Sequence, residues 1–247
     1  MEYKVHGDNL QFVEIKLEAG EEVYAEAGKM FFKTPQVNME TKMVGESLGS
    51  KIWGAIKRKV AGESLFTTHF TGPGTVAFAA DYPGRIEVID VSQKGFLAQK
   101  DAFICAEMGV EFSIAFQKKI GAGLFGGEGF IMEKFAGNGR VFIHAGGDFY
   151  VKELQAGETI QVDTGSVVGF EESVKYDVQL VGGIKTALFG GEGLFITTLT
   201  GPGKIILQSM TLAKLRREIG IYQNDGGGQS SGVVDSVLGS FFGGGND

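Results

Sequence analysis

Three glutamates, Glu63, Glu128 and Glu192, each follow a glycine, Gly62, Gly127 and Gly191, at one position of a recurring segment. Carboxylates gathered from three copies could ring a hard cation, which takes six or more oxygen ligands. Nothing adjacent supplies those oxygens, so Gly-Glu reads as a structural turn whose carboxylate accepts backbone N–H groups, and no metal or other cofactor is expected. The histidines form no repeated set: His69 aligns with Lys134 and Thr198, His144 with Ala79 and Gln208, and His6 precedes the first copy. No nucleophile motif accompanies them, and they read as solvated or core residues. Cys105, in Phe103-Ile104-Cys105-Ala106, reads as a small buried hydrophobe. The run Gly121-Ala122-Gly123-Leu124-Phe125-Gly126-Gly127 leads into Glu128, whereas a phosphate loop would end in Lys-Ser/Thr and open a helix. No catalytic residue is assigned, and no reaction can be read.

The elements that would position these residues come from repetition. Residues 62–78 (GESLFTTHFTGPGTVAF), 127–143 (GEGFIMEKFAGNGRVFI) and 191–207 (GEGLFITTLTGPGKIIL) align without a gap, their starts 65 and 64 residues apart. That spacing exceeds a propeller blade or helical repeat, so each copy is expected to be one small β domain. Alternating runs precede the copies: Val37 to Met43, Val110 to Phe116 and Val174 to Leu180. Period two means half-buried strands. Leu17-Glu18-Ala19-Gly20-Glu21 matches Leu154-Gln155-Ala156-Gly157-Glu158, while the middle copy blurs to Gly95-Phe96-Leu97-Ala98. Gly72-Pro73-Gly74 and Gly201-Pro202-Gly203 suggest type II turns, and Asn138-Gly139 suggests a tight hairpin. Interior helix is expected only at 49–60 and 211–219.

Composition agrees with such a body. The 247 residues are 43% hydrophobic with 20 Phe, enough to fill a core, and 40 glycines suit many tight turns. A net charge of −7 repels phosphate backbones, so no nucleic-acid partner is expected; the nearest basic cluster, Lys57-Arg58-Lys59, is short. One cysteine allows no internal disulfide. No apolar run opens the chain and none reaches the ~18 residues of a spanning helix, which points to the cytoplasm.

The motifs AGE near position 20, AGESLF at 61–66, FGGEGF at 125–130, LFGGEGLF at 188–195 and TGPG twice resemble the altered-inheritance-of-mitochondria family, over roughly residues 10–220. The resemblance implies an all-β fold: three tandem small β-sandwich domains, like the subunit of the tryptophan RNA-binding attenuation protein, around a pseudo-threefold axis. It also implies assembly into homo-oligomers, often trimers, and supplies no catalytic residues. Domains are expected at 1–91, 92–153 and 154–222, with a basic amphipathic helical insert at 45–61 and a Gly-rich tether and helical tail at 223–247.

The copies differ at two places. In the insert, Ile52, Trp53, Ile56 and Val60 share a helical face beside Lys57, Arg58 and Lys59. In the tail, Val233, Val234, Val237, Leu238, Phe241 and Phe242 form a helical stripe expected to be buried against the body or a neighbouring subunit. Both are candidate contact surfaces. The leading expectation is a non-catalytic oligomeric assembly or protein/membrane-surface binding protein; the alternative is a small-ligand module using clefts between the β copies.

Overall fold

A computed structural model describes residues 1–43, 66–118, 130–180 and 195–219. The Gly-Glu positions Gly62, Glu63, Gly127, Glu128, Gly191 and Glu192 lie outside the described residues. So do Ile52, Trp53, Ile56, Lys57, Arg58, Lys59, Val237, Leu238, Phe241 and Phe242.

Within the described residues the chain is nearly all antiparallel β. The strands are β1 (Glu2–His6), β2 (Phe12–Leu17), β3 (Glu22–Glu26), β4 (Met30–Lys33), β5 (Asn38–Met43), β6 (Phe66–Thr71) and β7 (Gly74–Ala79). Then come β8 (Gly84–Asp90), β9 (Phe96–Gln99), β10 (Phe103–Glu107), β11 (Val110–Lys118), β12 (Phe130–Gly137) and β13 (Arg140–Gly146). The last are β14 (Phe149–Leu154), β15 (Thr159–Asp163), β16 (Val167–Glu171), β17 (Lys175–Leu180), β18 (Phe195–Thr200) and β19 (Gly203–Gln208). Helix α1 (Leu212–Glu218) falls in the 211–219 window, where the Thr211 hydroxyl accepts from the Lys214 amide at 3.1 Å as an N-cap.

Four sheets result, ordered β1-β2-β7-β4, β5-β6-β3-β10-β13-β8, β11-β12-β9-β16-β19-β14 and β15-β18-β17. One pairing scheme recurs. Strand β7 lies between β2 and β4, as β13 lies between β8 and β10 and β19 between β14 and β16. Likewise β6 lies between β5 and β3, β12 between β11 and β9, and β18 between β17 and β15. The six-stranded sheets arise where β3 joins β10 and β9 joins β16. The seam strand β9 is buried at every position, Phe96 to Gln99, and shows no alternation.

Three apolar cores separate the sheets. Val13, Ile15, Phe70, Phe78 and Phe142 fill the first; Phe96, Phe103, Phe135, Val168 and Ile206 the second; Leu97, Phe130, Phe170, Val178 and Leu199 the third. In the second, the Phe103 and Phe135 rings stack at 5.0 Å and the Tyr24 hydroxyl donates to the Val110 carbonyl at 3.0 Å.

The turns depart from expectation. The Gly72–Pro73 and Gly201–Pro202 bonds are cis, in place of the expected type II geometry with its trans bond, although Gly74 and Gly203 take φ of 137° and 138°. At the other hairpin Gly139 carries positive φ and Asn138 does not.

The β9–β16 seam gives a direct test. A Cβ on Gly169 would lie 2.4 Å from the Phe96 ring and 2.5 Å from the Leu97 carbonyl oxygen, so Gly169→Ala forces the two strands apart. Overpacking of this kind costs about 1–3 kcal/mol. A melting temperature several degrees below wild type is expected by calorimetry, and an unchanged one contradicts the tight seam.

Candidate functional site

Polar side chains inside a β body must find partners or change protonation. Here they collect at the turns that follow β3, β9 and β15. Residues Glu26, Gln99 and Asp163 end those strands at equivalent register, since the preceding Ala25, Ala98 and Val162 face Thr68, Glu133 and Thr197. From the first turn, Lys29 inserts its ammonium 2.5 Å from the Asp81 carboxylate and 3.6 Å from Glu26. From the second come Lys100 and Asp101, the latter accepting from the Gln99 amide at 3.2 Å. At the third, Asp163 accepts from the Gly165 amide and the Gln208 side chain donates to the Gly165 carbonyl at 2.8 Å. Gln208 also accepts from the Gly146 amide at 2.9 Å, which ties β19 to the end of β13.

Two side chains in this junction are unusual. Glu133 on β12 is 3% exposed, and its Oε2 has no hydrogen-bond partner among the described residues. Burial, reinforced by the negative charge of Glu26 and opposed by Lys100, pushes its carboxyl up to about 8. It therefore carries a proton at neutral pH. His144 on β13 is 2% exposed, with the Tyr82 ring edge-on at 4.7 Å and no well-formed hydrogen bond to either ring nitrogen among the described residues. Burial and then the Lys29 charge push it down to about 4, against weaker opposing influences from Asp81 and the Tyr82 backbone. Neutral imidazole and neutral carboxyl thus satisfy the same requirement, that an interior hold little uncompensated charge. The Glu26 carboxyl is likewise raised by burial, with Lys29 opposing.

The remaining candidates are structural groups, although His6 Nε2 makes no well-formed hydrogen bond among the described residues. His69 Nδ1 meets Glu22 Oε1 at 2.6 Å and its Nε2 meets the Thr67 hydroxyl at 3.1 Å, all beside the β3–β6 ladder. His6 stacks on Phe12 at 4.7 Å and lies 3.2 Å from the Glu14 carboxylate. Cys105 is fully buried, and burial raises its thiol well above the ordinary range, so it stays a protonated thiol. Among the described residues no group of three or more His, Cys, Asp or Glu could hold a metal ion. No helix among them is long and apolar enough to cross a membrane.

The surface carries a second feature. Met30, Phe31 and Phe32 of β4 are exposed, Phe31 at 58%, and Phe31 packs edge-on against Phe12 and Phe32. A shallow groove of about 350 Å³ runs elsewhere, lined by Phe149, Tyr150, Val162, Asp163, Leu207 and Gln208 among others. Sequence reasoning missed both the polar junction and the β4 patch. The signals were present but quiet: Glu133 replaces the threonines Thr68 and Thr197 at its repeat position, and Phe31-Phe32 is an aromatic pair beside a turn glycine, Gly28.

Fold and site together define an antiparallel multi-sheet β protein with a buried polar junction and an exposed apolar strand edge. The profile of the AIM24 mitochondrial biogenesis family matches residues 3–210. The chain belongs to that family. It is 34% identical over 212 residues to an uncharacterised protein of Streptococcus pyogenes serotype M6, covering 83% of this chain and 84% of that one. It is also similar to the crystal structure of a structural-genomics target from Streptococcus pyogenes, at 28% identity and a TM-score of 0.73, over 90% of this chain and 99% of that one. No specific biochemical function is indicated by these relatives.

Proposed function

We propose that the protein is a non-catalytic, self-assembling β scaffold, built from three tandem copies at residues 1–91, 92–153 and 154–222 around a pseudo-threefold axis and working in the cytoplasm. The recurring pairing scheme supports the three copies. One observation carries the assembly reading: the apolar surface formed by Met30, Phe31 and Phe32 with Phe12, which is more costly to leave in water than to cover. A trimer is the assembly that the family resemblance favours. The membrane-surface arm of this reading rests on Trp53 and the Phe241-Phe242 tail, outside the described residues. Light scattering on the purified chain is expected to give a multiple of the monomer mass. A monomer at high micromolar concentration removes the reading.

The groove beside Tyr150 and Val162 favours a second reading, a small-ligand module, because aromatic and aliphatic side chains line it together with Asp163 and Gln208. A library of small aromatic and amphipathic compounds should then raise the melting temperature in wild type and not in Tyr150→Ala. No hit in wild type ends that reading.

A further inference from the structure

The three copies make the same turn with the same spacing. Three residues separate β3 from β4, β9 from β10 and β15 from β16: Ala27-Gly28-Lys29, Lys100-Asp101-Ala102 and Thr164-Gly165-Ser166. Each follows a strand-ending residue of equivalent register, Glu26, Gln99 or Asp163. Lys29, Ala102 and Ser166 therefore hold one position.

The copies differ in the charge they bring there. In the first, the Lys29 ammonium lies 3.6 Å from the Glu26 carboxylate and also pairs with Asp81, so the strand-ending acid meets a cation from its own turn. In the second, the strand ends on the neutral amide of Gln99. In the third the acid is kept and the lysine is gone: Asp163 ends the strand, and Ser166 stands in the place of Lys29. The Asp163 Oδ1 accepts from the Gly165 amide at 3.0 Å, and no cation pairs with this carboxylate among the described residues. The groove of about 350 Å³ opens here, lined by Asp163 and Ser166 together with Tyr150, Val162 and Leu207. Val162 and Leu207 are anchored on the third core. The other polar groups of the lining have partners. Gln208, 7% exposed, donates to the Gly165 carbonyl and accepts from the Gly146 amide, while Asp148 pairs with Arg85 at 2.7 Å.

We propose that this groove binds a small organic cation, a primary amine with a short aromatic or aliphatic body, whose ammonium pairs with Asp163 as Lys29 pairs with Glu26; this deepens the small-ligand reading and rests on it. An ammonium has three donors and no acceptor, which suits the Asp163 carboxylate and the Ser166 hydroxyl. The apolar body lies against Tyr150, Val162 and Leu207 and leaves water as it does so. An anionic ligand would meet an unpaired carboxylate on a chain of net charge −7. Because an ion pair at a partly open site is worth little by itself, the apolar body supplies most of the affinity and Asp163 supplies the preference for an amine.

The probes are 2-phenylethylamine, 2-phenylethanol and phenylacetate, one body with a cationic, a neutral and an anionic head. Titration of the full chain by NMR should show the amine binding about three- to tenfold more tightly than the alcohol, and phenylacetate more weakly than either. Asp163→Asn keeps an oxygen for the Gly165 amide, and it should bring the amine down to the affinity of the alcohol while leaving the alcohol unchanged. Ser166→Lys supplies the ammonium from the chain itself, as in the first copy, and should abolish amine binding. If these variants lose their β circular dichroism, salt decides the matter on wild type. Raising sodium chloride from about 20 to about 500 mM should weaken the amine several-fold and leave the alcohol unchanged. Failure of all three probes with no hit from the compound library overturns the small-ligand reading itself. Four results overturn only the cation assignment: library hits that carry no amine, an alcohol or phenylacetate that binds as tightly as the amine, amine binding that survives Asp163→Asn or Ser166→Lys, or a salt response shared by amine and alcohol.

Discussion

Phe135→Ala should lower the stability of the protein by about 3–5 kcal/mol, the range for deleting a fully buried aromatic ring. Phe135 on β12 is completely buried, and its ring stacks on Phe103 at 5.0 Å and lies 6.2 Å from Phe112. It faces Phe96 of β9 across the ladder, so its core joins the two six-stranded sheets. The neighbours are strand residues held by hydrogen bonds on both sides and have little freedom to collapse into the space. Chemical denaturation should show the midpoint moving down with the slope retained. A loss below about 1 kcal/mol would mean that the sheets repack freely and that this aromatic layer is not what joins them. Phe135→Leu should recover much of the loss, because it restores most of the volume.

Stability should form a plateau between about pH 4.5 and 6.5 and fall on both sides. The alkaline limb belongs to Glu133. Its folded value is raised to about 8, so the native state holds a proton that the unfolded chain has released, and stability declines as pH rises from about 4.5 to 8. The acid limb belongs to His144. Its folded value is lowered to about 4, so the unfolded chain takes up a proton that the native state refuses, and stability declines as pH falls from about 6.5 to 4. Where the two windows overlap the slopes oppose each other, which makes the plateau. Taken alone, each group's contribution changes by at most about 1.4 kcal/mol for every pH unit between its folded and unfolded values, and relaxation of the site lowers it, Glu133 having the wider window. Glu133→Gln should flatten the alkaline limb and extend the acid decline up to about pH 6.5, and His144→Gln should flatten the acid limb and extend the alkaline decline down to about pH 4.5. Melting curves at pH 5.5 and 8.5 for wild type and Glu133→Gln measure this directly. Equal alkaline losses in both proteins would show that the Glu133 carboxyl is ionised and solvated in the native state.

Much of the architecture was legible in the residues alone. The segments Val37 to Met43, Val110 to Phe116 and Val174 to Leu180 became β5, β11 and β17, because period-two alternation reports a strand with one wet face. The hairpins at Gly72–Gly74, Asn138–Gly139 and Gly201–Gly203 formed where turn residues interrupt apolar runs. These are local properties. A turn glycine or an alternating run acts through its nearest neighbours, and the chain carries that information in order.

Tertiary structure alone decided what happens between copies. No local rule pairs β3 with β10 across 80 residues of chain, or makes β9 a strand buried on both sides where its sequence shows no alternation. The protonation of Glu133 and His144 is also a property of surroundings, for a glutamate in Met132-Glu133-Lys134 has no reason in sequence to hold a proton at neutral pH. Phe31 is the plainest case. Its residue type suits a core as well as Ile104 or Val168 does, and only the order of strands in the sheets leaves it at an open edge. Burial and pairing depend on what long-range folding brings alongside, and a sequence read residue by residue contains the type of each side chain but not its company.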